Sequence, residues 1–140
     1  MSNLSLSPKQ LALAVSTTAA GGFLGTLLRA WLTGLEHLPN PNGDVSWPQE
    51  IPWALLAINF VGVFLATRLM RGPLRHRDPN DLTRILVITG FFGGLTSYSS
   101  FFVDMAAIWH VCVGGGLLVT LGAIVSGAVA AWLGLMRHHR

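Results

Sequence analysis

The sequence predicts an all-α membrane protein with four transmembrane helices. Of its 140 residues, 51% are hydrophobic and only 11% are charged, whereas a soluble domain carries roughly 25% charged residues. The charged residues are also clustered, which leaves four apolar stretches long enough to cross a hydrocarbon core of ~30 Å as helices. These two observations exclude a soluble enzyme and a nucleic-acid-binding module, and residues 1–140 are predicted to form a single transmembrane domain.

The first span is predicted at about residues 10–35. One basic residue, Lys9, precedes it and no cleavage site follows, so we expect the segment to be retained rather than removed as a signal peptide. Gly21 and Gly25 form a GxxxG pair, which lets membrane helices approach closely. Arg29 follows them and has two interpretations, since it can extend to the membrane interface or face an aqueous vestibule.

The second span is predicted at about residues 51–70, with Asn59 at its middle between Ile58 and Phe60. A polar amide at this depth needs a hydrogen-bonding partner. It can hold two helices together, or it can donate N–H hydrogen bonds to a permeating anion. The sequence leaves both interpretations of Asn59 open.

The third span is predicted at about residues 84–107, and it contains the segment GFFGGLTSYSSF at residues 90–101. Paired glycines followed by four hydroxyl residues within five positions form a poor helix, so we expect a break there. Broken backbone in a membrane must be buried in protein or line a cavity, and its carbonyl groups can coordinate a small cation. On the resumed helix, Tyr98 and Phe101 share a face that Asp104 extends.

The fourth span is predicted at about residues 111–136 and is rich in glycine and alanine. Its hydroxyl residues include Thr120 and Ser126, whose spacing is poor for a single helical face. Cys112 is the only cysteine, so no internal disulfide can form, and its apolar surroundings predict a buried thiol.

The basic residues predict the orientation of the chain. Of the nine Lys and Arg residues, Arg29 lies within the first span and the remaining eight fall on one predicted side. These eight are Lys9, Arg68, Arg71, Arg75, Arg77, Arg84, Arg137 and Arg140. The positive-inside rule then places both termini in the cytoplasm, in a protein that spans the cell membrane several times.

The polar residues of the spans suit a small anion. Hydroxyl and amide groups donate hydrogen bonds without a fixed charge that would trap the ion, and aromatic ring edges add weak positive contacts. Conduction needs several such weak sites rather than one tight site. A cation pore would instead be expected to carry rings of carboxylates, which this sequence lacks.

Three motifs resemble those of the Fluc/CrcB family of fluoride channels. They are GGxxGxxxR at residues 21–29, NxxG at residues 59–62, and the glycine- and hydroxyl-rich segment at residues 90–101. The resemblance implies a fluoride-selective channel that allows passive fluoride export and so reduces cytoplasmic fluoride toxicity. It also implies an antiparallel dimer with two pores, in contact with membrane lipid.

The resemblance further implies roles for individual residues. The pore residues would be Asn59, Tyr98, Ser99, Ser100, Phe101, Thr120 and Ser126. Arg29 and Asp104 would lie in the vestibules. A structural Na⁺ at the dimer interface would be held by the backbone carbonyl groups of Gly93 and Thr96.

Two features depart from the family pattern. Tyr98 stands where the family has phenylalanine, and its hydroxyl could retune or block the pore. Family members that pair with themselves in both orientations have nearly balanced loops. The one-sided charge of this chain instead predicts a single orientation and an oppositely oriented homologous partner subunit.

Three other functional classes are alternatives to a conducting channel. The chain could be a non-conducting, structural subunit of a heteromeric fluoride channel. A small multidrug-type transporter would need a membrane-embedded carboxylate, which the first span lacks. An enzyme would need histidine, cysteine or carboxylate side chains at catalytic or metal-binding spacing, and the sequence shows no such arrangement within a span.

Overall fold

The computed structural model describes residues 7–34, 51–76 and 81–136, except for the side chains of four residues in the second half, which include Ser100 and Asp104. Within these ranges every regular element is helical, which confirms the all-α class. The helices are α1 (Pro8–Gly34), α2 (Trp53–Arg71), α3 (Leu82–Leu95), α4 (Tyr98–Val111) and α5 (Val113–Leu135). Most of α3 is a π-helix, Ile85–Phe92, with one short α-helical turn at each end.

Three of these helices, α1, α2 and α5, are long and apolar enough to cross a membrane. The shorter apolar helices α3 and α4 cover the segment that the sequence assigns to the third span. Several apolar helices in one chain identify a multi-pass membrane protein.

The helix starts follow from local sequence. At the start of α1, Ser7 and Gln10 exchange two hydrogen bonds of 3.0 and 3.3 Å between side chain and backbone, with Pro8 in the first helical position. The carboxylate of Asp81 accepts a 2.8 Å bond from the backbone N–H of Thr83 and caps α3.

Gly21 and Gly25 of α1 pack against the part of α3 that contains Gly90 and Gly94, a second glycine pair with GxxxG spacing. A Cβ atom on Gly21 would lie 2.9 Å from the backbone nitrogen of Phe91, and one on Gly25 would lie 2.8 Å from that of Leu95. From the other side, a Cβ on Gly90 would lie 2.9 Å from the Cα of Gly21. The two backbones are therefore in direct contact, which confirms the tight helix packing that these glycines predict.

Helices α2, α4 and α5 form the second packed group. Its core consists of six buried residues: Ile51, Leu55, Phe101, Met105, Ile108 and Ala123. Near the far ends of α2 and α5, a Cβ atom on Gly134 would lie 2.8 Å from the carbonyl oxygen of Phe64. Small residues thus bring α5 against α2, as they bring α1 against α3.

Cys112 lies at the junction between α4 and α5 and is only partly buried. Its sulfur accepts a 3.3 Å hydrogen bond from the backbone N–H of Gly115, so it caps α5. The prediction of a buried thiol is wrong because the apolar sequence around Cys112 continues through a helix boundary.

Candidate functional site

Asn59 lies in α2 and is only 6% exposed. Its Oδ1 atom is fully buried and has no hydrogen-bond partner among the residues that the structure describes. Leaving a buried polar group unpaired costs about 1–3 kcal/mol. The described part of the chain therefore does not use this carbonyl to join two of its own helices.

The backbone between α3 and α4 is extended at two residues. Thr96 has φ −93° and ψ 103°, and Ser97 has φ −131° and ψ 114°. The N–H and the hydroxyl of Thr96 both donate to the carbonyl of Phe92, at 2.9 and 2.7 Å, and so hold the end of α3. The methyl group of Thr96 occupies the space beside Gly62 of α2, which lets α2 approach this segment.

The predicted sodium ligands are the carbonyl groups of Gly93 and Thr96, at the end of α3. Gly93 is exposed, and a Cβ atom there would meet nothing within 4 Å. The carbonyl groups at the end of a helix lack intrahelical donors, and such oxygens suit a small hard cation. No three His, Cys, Asp or Glu side chains converge as a metal site in residues 7–34, 51–76 and 81–136. The candidate ligand atoms at this position are the two backbone carbonyl oxygens.

Tyr98 and Phe101 lie one helical turn apart in α4 but differ in burial. Tyr98 is 39% exposed, and its hydroxyl lies beside Gly127 of α5. Phe101 is 1% exposed and belongs to the core. In the single chain, the first of these rings is accessible and the second is enclosed.

The serines beside Tyr98 are at the surface of the break. The hydroxyl groups of Ser97 and Ser99 are hydrogen-bonded to each other at 2.7 Å. Two further predicted site residues, Ser100 and Asp104, have side chains outside the described part of the structure.

The two predicted hydroxyl residues of α5 bond to their own helix. Thr120 donates to the carbonyl of Gly116 at 2.7 Å, and Ser126 donates to that of Ala123 at 2.9 Å. Because a hydroxyl has one hydrogen, each must rotate before it can donate to an anion. In their present rotamers both offer only acceptor lone pairs.

An apolar groove of about 340 Å³ separates parts of α2 and α5. Ser126 lines this groove together with Phe60, which follows Asn59 in the sequence. Ile51 and Ala123 line it too, and both belong to the core around Phe101. Ser126 therefore lines a groove whose wall includes part of the core around Phe101. Thr120 is not among the described lining residues of this groove.

Arg29 lies five residues before the end of α1 and is partly buried. One of its terminal nitrogens, Nη1, is fully buried and has no hydrogen-bond partner in the described ranges. This buried donor argues against a side chain that merely extends into water.

Sequence reasoning missed two glycines that complete the site. Gly62 makes room for Thr96, and Gly127 makes room for the hydroxyl of Tyr98. In the sequence both are simply small residues within a span, and their spacing does not indicate which side chain each of them contacts. Gly62 does belong to the NxxG motif, which marked its position without its partner.

Comparison with known proteins identifies relatives over most of the chain. The family described as "CrcB-like protein, Camphor Resistance (CrcB)" matches residues 16–135. A protein of Mesorhizobium japonicum named "Fluoride-specific ion channel FluC" is 34% identical over 105 residues, which cover 71% of this chain and 84% of that protein. Proteins of the same name from Pseudomonas putida and Agrobacterium fabrum are 34% and 30% identical, and each alignment covers 86% of this chain and more than nine-tenths of the relative.

Proposed function

The chain belongs to the CrcB-like family, and from this premise we propose that it is a fluoride-selective channel. It allows fluoride to leave the cell passively and so lowers the toxicity of cytoplasmic fluoride. The proposed activity is conduction rather than catalysis, and fluoride is the permeating ion. The structural or non-conducting subunit and the multidrug-type transporter are not favoured, because the relatives are named fluoride-specific channels.

The buried amide of Asn59 is the single structural observation that carries this proposal. Its Oδ1 has no partner among the described residues, so no hydrogen bond to that oxygen fixes the orientation of the amide. The Nδ2 amino group is the part of the side chain that can donate to an anion. An uncharged amide can donate hydrogen bonds to fluoride without holding it as tightly as a cationic side chain would.

We place four spans in the membrane, with α3 and α4 together forming the third, broken at Thr96 and Ser97. Three of the candidate pore residues support a dimer, because the single chain leaves them at its surface. Tyr98 and Ser99 are exposed, and Ser126 lines an open groove. An antiparallel partner would cover these surfaces and complete two pores.

Within such a pore, fluoride would pass Asn59 and the rings of Tyr98 and Phe101. The hydroxyl groups of Ser99, Thr120 and Ser126 would rotate away from their present partners and replace its water, and Ser100 would contribute a further hydroxyl. Arg29 and Asp104 would lie in the vestibules, where the charge of Arg29 attracts the anion.

The carbonyl groups of Gly93 and Thr96 would hold a Na⁺ ion at the dimer interface. The extended backbone of Thr96 and the open surface beside Gly93 support this assignment. When bound, the ion supplies a fixed positive charge that joins the two broken helices. Thr96 keeps its own carbonyl in place through its two hydrogen bonds to Phe92.

The eight basic residues on one predicted side support cytoplasmic termini and a single orientation. Because an antiparallel dimer needs both orientations, we propose an oppositely oriented homologue as the partner. The test is a fluoride-efflux assay in liposomes with the chain alone and with the co-expressed homologue. We expect efflux only from the pair; full activity of the chain alone would contradict the heteromer, and no efflux from either would contradict the channel.

A further inference from the structure

A basic pocket lies where the C-terminal ends of α2 and α5 meet. Its volume is about 480 Å³, and three arginines line it: Arg68, Arg71 and Arg75. None of these residues belongs to the candidate pore. The pocket therefore needs an explanation of its own.

Two of the arginines are fixed by the end of α5. The Nη1 atom of Arg68 donates to the carbonyl of Met136 at 3.0 Å, and that of Arg71 donates to the carbonyl of Leu135. Cations are favoured at this negative end of a helix. Each guanidinium has five N–H donors, so most of them remain for a ligand.

The third arginine sits on an ordered turn after α2. The N–H of Gly72 donates to the carbonyl of Arg68 at 2.9 Å, and the N–H of Arg75 donates to that of Gly72 at 3.1 Å. Leu74 between them is buried and anchors the turn. The backbone thus holds Arg75 against the pocket while its side chain is exposed.

The positive charge of the pocket indicates an anionic ligand. Among its described lining residues there is no acidic side chain to balance the three guanidinium groups. Planar guanidinium groups bind phosphate oxygens in pairs, which a compact halide cannot match. A phosphate group is therefore the ligand chemistry that fits.

The remaining walls favour a phosphate that carries acyl chains. Leu69, Pro73 and Met136 line the pocket beside the arginines. Met70 and Leu135, which adjoin lining residues in the sequence, have exposed side chains on helices long and apolar enough to cross a membrane. We propose that the pocket binds the headgroup of an anionic phospholipid, whose acyl chains lie along this apolar surface.

The test is native mass spectrometry of the purified full chain with phosphatidylglycerol, phosphatidylcholine or inorganic phosphate added. We expect retained phosphatidylglycerol, little phosphatidylcholine, and no displacement by millimolar phosphate. Equal retention of the two lipids would overturn the proposal. Displacement by inorganic phosphate would overturn it as well, because the site would then bind the free ion.

The decisive variant is Arg75→Gln, since this side chain makes no hydrogen bond to α5 in the structure's described part. One arginine near an anionic lipid accounts for about a fivefold change in affinity, so we expect about fivefold weaker phosphatidylglycerol binding. Arg75→Lys should lose less, and Arg84→Gln, which removes a charge outside the pocket, should bind like the parent. Unchanged binding in Arg75→Gln, or an equal loss in Arg84→Gln, would overturn the proposal.

Discussion

The hydroxyl of Tyr98 occupies the space beside the α-carbon of Gly127, where a Cβ atom would lie 2.5 Å from the phenolic oxygen. The two residues belong to α4 and α5, so the ring of Tyr98 lies against the neighbouring helix. Tyr98 also stands at a position where the resemblance to the family predicts phenylalanine. The additional hydroxyl of this chain is thus matched by a residue without a side chain.

Gly127→Ala should therefore act through Tyr98. Since the ring is partly exposed, it can move aside, and we expect a loss of stability below about 1 kcal/mol together with altered fluoride efflux. Tyr98→Phe removes the colliding oxygen, so Gly127→Ala should have no further effect on efflux in that background. Efflux from liposomes and thermal unfolding measure the two quantities.

The matched control for this pair is Gly114→Ala, also in α5, where a Cβ atom would meet nothing within 4 Å. It should leave efflux unchanged and be neutral or stabilising. If Gly127→Ala had the same effect with tyrosine and with phenylalanine at position 98, the coupling would be refuted.

The contact between α1 and α3 should tolerate no added methyl group at Gly25. A Cβ there would collide with the backbone of Phe91 and Leu95, neither of which can rotate away. We expect Gly25→Ala to destabilise the protein by about 1–3 kcal/mol or more, measured by thermal unfolding in detergent. At Gly22, in the same motif, a Cβ would lie 3.9 Å from the nearest oxygen, so Gly22→Ala should be neutral or stabilising. Equal effects of the two substitutions would contradict this packing.

Asn59→Leu should separate conduction from stability. Leucine keeps the branched shape but removes the amide, whose Oδ1 has no partner among the described residues. We expect stability to stay the same or to rise, because the unpaired carbonyl is removed, and fluoride efflux to fall at least about tenfold. Thr67→Val in the same helix is the control, because the Thr67 hydroxyl bonds only to carbonyl groups of its own helix in the described structure. The Thr67→Val variant should keep normal fluoride efflux. A strongly destabilised Asn59→Leu with normal efflux per folded protein would mean that the amide is structural.

The sequence predicts the helices better than it predicts their contacts. Gaps between charges locate α1, α2 and α5, because charge is costly in a bilayer. These helices are apolar on all sides, however, so periodicity cannot indicate which face packs and which meets lipid. That α1 packs on α3, and that Phe101 is enclosed while Tyr98 is accessible, required the structure.

The same limit explains what was missed at the candidate site. A glycine in a membrane span predicts a close approach but not the atom that approaches. The pairing of Gly127 with Tyr98 and the carbonyl groups that hold Arg68 and Arg71 depend on helix rotation, which no local pattern encodes. From the sequence, the basic residues indicated only the orientation of the chain. The structure shows in addition that three of them line one pocket.

Cys112 provides a test of orientation that needs no substitution. It is the only cysteine of the chain, it is partly exposed, and it lies between α4 and α5, on the predicted external side. A membrane-impermeant maleimide added to intact cells should label all copies, and permeabilisation should add nothing, because the one-sided basic charge fixes one orientation. In a Cys112→Ser background, Ser7→Cys should react only after permeabilisation, since Ser7 precedes α1, on the side predicted to be cytoplasmic. Labelling of about half the Cys112 copies in intact cells would instead indicate insertion in both orientations, and the need for a separate partner subunit would disappear.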